Sequence, residues 1–583
     1  MTDGKIGSTN KEQLTRKLEY NVDPNSDIGT DLSSIINIMN FARERLHTAA
    51  REVKAKSTSL EAWKLPKNTS SLAPDYIWTN ADQDPVPPEK QTWTAWSFAG
   101  YWFSDLFNVT GWQIASSTIL NGLGTTDAIL IALLAGFCNA VPTVLNGAIG
   151  AKYHIPFPVV IRSSFGYWFS YFAVVSRCIL ALFWFSLQGY SGCSSIEAII
   201  VAIWPSFASL PNSLPESAGI TTKTMVCYLI YNIFQFPLLL IPTHKLQWLF
   251  LAKAILVPPM VLGMTIWTCL RAGGSIEIFQ VQPTVFGADR VWLWLGTLTS
   301  VTGGYSTIAV NIPDFSRFSK SPGAQWIQLP LIPFLKVFVS LFGIICTGAS
   351  IHIYGQYVWD PLKIVSSWGT TPGGRFLAFF CAVIWLIAQV CTNISANSIS
   401  FANDMTTMFP KWFNIRRGVV FASLVGAWGL VPWKINKAAG SLLSFMSGYA
   451  IILGPFAGIM IADYYLVRRK ELDVIELYDS KGKYRYNKFG VNWRAFVVFF
   501  SVFIPLLPGL ARVVSPSSVS IDIGLRHLYS ISWLFGFITS LVSYFLLMKI
   551  FPARSTMARS QSSIEGVEAA RSQSTAGDDK EKA

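Results

Sequence analysis

Ser104-Asp105-Leu106-Phe107-Asn108-Val109-Thr110-Gly111 sits in the middle of an apolar stretch running from about residue 93 to residue 121. A bilayer core about 30 Å thick needs roughly 20 apolar residues in a helix, so this stretch is long enough to span one. Its centre nevertheless carries an acid, an amide, two hydroxyls and a glycine. Backbone groups inside a membrane must be satisfied within the protein, and polar side chains at that depth are expensive and usually functional. A spanning helix interrupted at mid-depth accommodates both facts. A second such stretch, Val301-Thr302-Gly303-Gly304-Tyr305-Ser306-Thr307, lies inside the apolar window 291–311. Interruptions at matching positions in two halves of a chain mark the binding site of inverted-repeat transporters. Ordinary small-residue helix packing would use the same residue types.

Outward from these two stretches, apolar windows recur along most of the chain. They predict helices near 93–121, 128–151, 169–202, 223–242, 247–270, 291–311, 327–353, 373–402, 417–433, 437–463, 492–512 and 527–551. The window 417–433 is short and ends in Val431-Pro432-Trp433. Of the 583 residues, 51% are hydrophobic and 14% charged, well below the ~25% charged residues of soluble domains. Continuous apolar windows suit helices, not the alternating strands of a barrel. The fold expected is therefore an all-α polytopic membrane protein of about twelve spans.

The net charge of +13 raises the possibility of a nucleic-acid partner, but its distribution points to a membrane. Lys152, Arg162, Lys245, Arg317, Arg416, Arg468 and their neighbours crowd the connections at one end. The connections at the other end are sparser. The positive-inside rule then places both termini in the cytoplasm. The polar N-terminus predicts no cleavable signal peptide. The eight cysteines lie in or near apolar segments without CxxC spacing and read as packing residues. The sequons at Asn68, Asn108 and Asn393 fall in the N-terminal tail or inside helices, where glycosylation is not expected.

The expected organisation is a cytoplasmic tail over 1–90, a twelve-helix body over 91–551 and a disordered cytoplasmic tail over 552–583. Within the first tail, 31–56 has an apolar face followed by basic residues. It suits either the inner leaflet or packing on the loops. The C-terminal tail, with Lys580 and Lys582, suits ubiquitin attachment.

Chemistry concentrates in two further windows. Trp184 and Gln188 are four residues apart, so they share one helix face. Together they could stack a flat heterocycle and bond its edge, or simply pack and bridge two helices. Gln389, Thr392, Asn393, Ser395, Asn397 and Ser398 put six polar side chains into one short stretch of a span. Such oxygens could hold a hard cation or a polar solute. Asp105 is the acid inside the first window, a candidate proton carrier or a structural hydrogen-bonding group. Asp314 and Arg317, and Asp463 and Arg468, stand at helix ends where Asp–Arg pairs could gate or anchor. The five histidines, His47, His154, His244, His352 and His527, lie in tails or at helix ends. No HExxH, GxSxG or GxxxxGK[ST] pattern occurs, so enzyme chemistry is not expected, and no metal site or cofactor is predicted.

Leu182–Gln188, Asn311–Phe318, Cys391–Pro410, Gly454–Lys470 and Gly490–Arg494 also carry a resemblance. Over about Trp93 to Leu547 the chain resembles the nucleobase–cation symporter 1 family, in its fungal uracil, allantoin and uridine permease branch. That resemblance implies a LeuT-type fold of two inverted five-helix repeats, here 91–271 and 290–463, plus two C-terminal helices over 492–551. It implies a plasma-membrane symporter for a nucleobase-like ring. The ring would be stacked between Trp184 and Tyr305 beside Gly304, with Gln188 and Asn397 reading its edge. The family's cation site maps onto Ser104, Phe107, Ala388, Cys391 and Thr392, with Asp105 and Asn108 nearby. Cys391 stands where the family's structurally known bacterial member has a serine. Sulfur is a poor sodium ligand, so the expected co-transported ion is H+ rather than Na+. Uracil, allantoin and uridine remain alternatives, with thiamine, nicotinamide riboside and a non-transporting sensor behind them.

Overall fold

The computed structural model describes residues 59–69, 71–241, 247–274, 280–435 and 439–553. The expected amphipathic helix at 31–56 and the tail from 554 onward lie outside the described residues. Met1–Lys64 and Leu65–Ala583 form separate compact units. In the first, the described residues include a short 3-10 turn, Leu60–Trp63, capped by Ser59. Everything below concerns the second unit.

The second unit is helical, and its described residues contain no β-strand beyond one isolated bridge, between Trp93 and Ser319. We label the principal helices α1 Ala95–Leu106, α2 Val109–Leu120, α3 Thr125–Tyr153, α4 Ser170–Ile203, α5 Thr222–Leu239, α6 Gln247–Arg271, α7 Gly287–Asn311, α8 Gln328–Tyr354, α9 Pro372–Thr392, α10 Ile399–Met408, α11 Ile415–Phe421, α12 Ala439–Ile461, α13 Trp493–Phe503, α14 Leu507–Val514, α15 Ile523–Ser530 and α16 Ser532–Ile550. Among the described residues, eight helical runs are long and apolar enough to cross a bilayer. The expected first, fourth, sixth and ninth windows are helical but not among those eight, so composition and length do not establish all twelve.

The first expected interruption is present. α1 ends at Leu106, with Phe107 as its cap, and Asn108 is extended (φ −149°, ψ 169°) before α2 begins. The freed backbone groups find partners inside the protein, as burial requires. Asn108 Oδ1 accepts from Gly111 N at 2.8 Å, and Gln389 Oε1 accepts from Val109 N at 2.9 Å. Gly111 is needed at this junction, because a Cβ there would stand 2.5 Å from the Leu106 carbonyl oxygen.

The second expected interruption is absent: α7 runs unbroken through Val301–Thr307. Its glycine pair serves close packing instead. A Cβ on Gly303 would come within 2.4 Å of the Met446 carbonyl oxygen on α12. Of the two readings of 301–307, an interruption or small-residue packing, the glycines serve the packing.

Elsewhere the helical run around 372–408 contains a π-helical turn over Asn393–Ser398, inside its polar stretch. Such wide turns shift side-chain direction and are frequent at functional sites. The expected helix 417–433 is shorter at its C-terminal end, closing at Gly429. Val431 has φ 49°, a left-handed conformation uncommon for a β-branched residue, and Pro432 beside it has no N–H to continue the helix. In the body, α12 packs against α7 and α16, α3 against α7 and α8, and α4 against α9. The broken pair α1–α2 lies among them.

Candidate functional site

A cavity opens beside the break. Its walls include Asp105, Asn108 and Thr110 from the α1–α2 junction, Trp184 and Gln188 from α4, Gly304, Tyr305 and Thr307 from α7, and Thr392, Asn397 and Ser400 from the α9–α10 run. Five sequence-selected ring-binding candidates, Trp184, Gln188, Gly304, Tyr305 and Asn397, therefore meet at one place. Trp184 is held edge-on by Phe445 and Tyr449 of α12, at centroid distances of 6.0 and 6.2 Å. Tyr305 is backed by Lys336 of α8, whose ammonium lies 4.9 Å from the ring centroid. That ammonium donates to Asn139 Oδ1 at 2.7 Å and to the Val301 carbonyl at 3.0 Å.

The orientation of the two amides follows from backbone groups whose polarity is not in doubt. Val109 N–H can only donate, so Gln389 turns its Oε1 toward it. Gln389 Nε2 then donates to Gln188 Oε1 at 2.8 Å, where Thr110 Oγ1 also donates at 2.9 Å. Gln188 is left with its Nε2 as the open end. On the other wall, Asn393 Nδ2 donates to the Phe185 carbonyl at 3.1 Å and to Gln235 Oε1 at 3.0 Å. Its Oδ1 accepts from Asn397 Nδ2 at 3.0 Å, leaving Asn397 Oδ1 as the open end. The cavity thus presents one amide donor and one amide acceptor between two aromatic side chains. Such a set can hold a flat ring with adjacent C=O and N–H groups.

The residues matched to the cation site lie next to this cavity. A buried lysine that sequence reasoning passed over, Lys253 of α6, donates to the Ser104 carbonyl and to Thr392 Oγ1, the latter at 2.8 Å. An ammonium therefore occupies the oxygens expected to receive an ion. Cys391 is buried, with its Sγ 3.6 Å from the Leu249 carbonyl; Ala388 and Phe107 are also buried and supply no polar side chain. Asp105 is 2% exposed and its Oδ1 has no hydrogen-bond partner among the described residues. Both sequon asparagines are buried and hydrogen-bonded: Asn108 caps α2, and Asn393 donates to the Phe185 carbonyl on α4 and to Gln235 on α5. The signal for Lys253 was available: an ionisable residue inside an apolar window is a site hypothesis by default.

The expected pairing of Asp314 with Arg317 is corrected. Asp314 lies on a short helix, Pro313–Ser316, and turns inward. Its Oδ2 meets Arg177 Nη1 at 2.5 Å and its Oδ1 accepts from Phe157 N at 2.9 Å. Arg177, 1% exposed on α4, also holds both carboxylate oxygens of Asp404. Arg317 instead donates to the Asp82 carbonyl at 2.8 Å and lies over Phe318. The partner came from a helix more than a hundred residues away, which local spacing cannot reveal. The Asp463–Arg468 pair does form, at 2.7 Å. Among the described residues, no cluster of metal-ligating side chains occurs.

Residues 85–536 match the family model described as "Permease for cytosine/purines, uracil, thiamine, allantoin". The uracil permease of Saccharomyces cerevisiae is 35% identical over 492 residues, covering 82% of this chain and 77% of its own length. The allantoin permease of the same yeast is 32% identical over 497 residues, covering 83% and 78%. A Schizosaccharomyces pombe protein named uncharacterized permease C1683.05 is 37% identical over 479 residues, covering 82% and 85%. Among solved structures, Mhp1, a nucleobase–cation-symport-1 family transporter in a closed conformation with bromovinylhydantoin bound, matches with TM-score 0.62 at 21% identity, covering 81% of this chain and 97% of that one. Its inward-facing form matches with TM-score 0.64 at 20% identity, covering 84% and 98%. The chain has their LeuT-type fold. It belongs to this permease family, in the branch of the fungal uracil, allantoin and uridine permeases, and is a membrane transporter and not an enzyme.

Proposed function

We propose that this permease takes up uracil, or a related solute such as allantoin or uridine, across the plasma membrane in symport with protons. The observation that carries the ring class is the fixed polarity of the two amides. Gln188 Nε2 offers a donor and Asn397 Oδ1 an acceptor, each oriented through a chain ending on a backbone group. Adjacent C=O and N–H groups on a uracil edge complement that pair. Trp184 and Tyr305 supply the stacking faces. Allantoin offers nearly the same edge; uridine needs added room for its ribose.

Proton coupling is supported by Lys253. Its ammonium bridges α1 at Ser104 and the α9 end at Thr392, the link a bound sodium ion would otherwise make. In this reading, Lys253 and Asp105 exchange the transported proton as the helices separate and rejoin. Alternating access would rock one helix group against the other, with the Arg177–Asp314–Asp404 cluster closing one end. Both termini would face the cytoplasm, where Lys580 and Lys582 are candidates for ubiquitin attachment.

The test is uptake of labelled uracil, allantoin, uridine and thiamine in cells lacking their own permeases, with and without a protonophore. Uracil-type uptake abolished by the protonophore and indifferent to sodium is expected. Absence of uptake for every solute would reject the function; uptake that requires sodium would reject the coupling. Trp184→Ala and Gln188→Ala should each lose high-affinity uptake while the protein still reaches the membrane. Unchanged affinity in both would reject the site.

A further inference from the structure

A second cavity lies at the end of the body that carries residues 76–83, away from the ring site. It is bounded by that segment, by the start of α4, by the end of α10 and by Tyr478. Four polar side chains around it have unpartnered atoms, although buried polar atoms are normally paired. Gln83, 7% exposed, commits its Nε2 to the Asn403 carbonyl at 3.1 Å, so its Oε1 is the orphan. Arg162, also 7% exposed, holds the Leu477 carbonyl with Nη1 at 3.0 Å and lies over the Tyr167 ring, while its Nε has no partner. Trp78 Nε1 and Thr79 Oγ1 are likewise unpartnered.

The chemistry of this set is specific. Two of the four open groups, Arg162 Nε and Trp78 Nε1, can only donate, Thr79 can do either, and only Gln83 Oε1 is purely an acceptor. Arginine reads phosphate oxygens through its Nε edge with a geometry lysine lacks. Further positive charge stands at the rim: Lys411 lies 5.3 Å from the Trp78 ring and Lys481 4.4 Å from the Tyr76 ring. The opposing charges at the rim are Asp479, which accepts from the Tyr76 hydroxyl, and Glu476, whose Oε2 accepts from Lys483 N. The walls include the aromatic rings of Trp78, Tyr167, Tyr171 and Tyr478. An acceptor-rich, anionic ligand with a flat ring fits these features better than a neutral base.

We propose that this cavity is a second, regulatory site that binds a pyrimidine nucleoside monophosphate and slows transport. The phosphate meets Arg162 and Thr79, and the base stacks on the aromatic wall. The cavity touches Thr406, Thr407 and Met408 at the end of α10, on the same helical run as Asn397. An occupant there braces one end of the run whose other part reads the transported ring. The binding claim stands on this cavity alone; the effect on transport rests on the permease reading above.

The experiment uses the purified full-length chain and titrates uridine 5′-monophosphate by calorimetry, with uridine and inorganic phosphate as separate probes. Saturable binding of the monophosphate that excess uracil does not displace is expected, with uridine and phosphate each weaker. Arg162→Gln should weaken binding about tenfold or more, from loss of a charge-assisted contact. Because Arg162 also holds Leu477, Thr79→Val provides a second reading: it is isosteric, removes no existing bond, and should weaken binding several-fold. Trp184→Ala should lose uracil binding and keep monophosphate binding, so failure of the ring site and failure of this site are distinguishable. In proteoliposomes, the monophosphate should lower the maximal rate of uracil uptake without changing its KM. No binding, displacement by uracil, or wild-type affinity in both Arg162→Gln and Thr79→Val would each overturn the proposal.

Discussion

Replacing Gln389 with methionine tests whether the ring site is oriented from behind. Gln389 does not line the cavity, yet it joins Val109 N–H to Gln188 Oε1 through contacts of 2.9 and 2.8 Å. The methionine keeps the volume and removes both bonds, together with the 3.3 Å contact from Gln389 Nε2 to the Gln188 carbonyl. One consequence is for the fold: Val109 N–H becomes a buried donor without a partner, which costs about 1–3 kcal/mol. The other is for the site. Gln188 Oε1 retains Thr110 as its one donor, and its amide gains freedom to turn. Losing one neutral hydrogen bond's worth of orientation is about 0.5–1.5 kcal/mol, and at 1.4 kcal/mol per tenfold this raises KM by about two- to twelvefold. The assay is a double-mutant cycle with Gln188→Ala, reading uracil KM and melting temperature together. If Gln389 acts on substrate through Gln188, adding Gln389→Met to Gln188→Ala lowers the melting temperature but leaves KM where Gln188→Ala put it. Wild-type KM in Gln389→Met, or losses in KM that add in the double variant to within about 0.5 kcal/mol, would refute the orienting role.

Three further outcomes follow from contacts described above. Lys253→Met removes the bridge between Ser104 and Thr392, so uptake should lose its dependence on the proton gradient while uracil binding at fixed pH persists; Asp105→Asn with unchanged pH-dependent uptake would remove Asp105 from the coupling. Arg177→Met strands two buried carboxylates, Asp314 and Asp404, and should destabilise the protein by about 3–5 kcal/mol, the range for breaking a buried pair from one side; Asp404→Asn added to it should restore part of that loss in thermal melting. Asp84, outside the spans, has its carboxyl pushed up to about 6 by burial, against the hydrogen bonds from Ser71 and Asn68. An acid whose folded value is raised binds protons more readily in the folded state, so its contribution is most favourable below about 4 and is lost as pH rises through about 6. Protection of residues 65–90 from proteolysis should therefore increase between pH 7 and pH 5, and Asp84→Asn should flatten that profile.

The two interruptions read from sequence met different ends for a physical reason. At Asn108 the sequence supplies a cap, Asn108 itself, and a glycine three residues on. Both are local features, and the break they predict is present. Gly303-Gly304 carries the same residue types, and Thr302 is of a kind that can cap a helix, yet the helix runs on through it and a neighbouring helix decides the glycines' use. Met446 of α12 packs where a side chain on Gly303 would stand, and the helix continues. Asp314 illustrates the same limit for charge. Its neighbour in sequence, Arg317, faces Asp82, whereas its partner Arg177 arrives from α4.

The sequence by itself determined that this is a helical membrane protein, and its family resemblance that it is a transporter. Apolar windows must become helices where no water satisfies the backbone, and polar residues at that depth must be used. It also named Trp184, Gln188, Tyr305 and Asn397, because spacing and family resemblance single them out. Tertiary structure alone decided which end of each amide faces the cavity, that Lys253 occupies the oxygens expected for a cation, and that Arg177 holds Asp314. Each of these depends on a partner from a distant helix, and hydrogen-bond polarity is set by what lies within about 3 Å in space, not by what lies nearby in the chain.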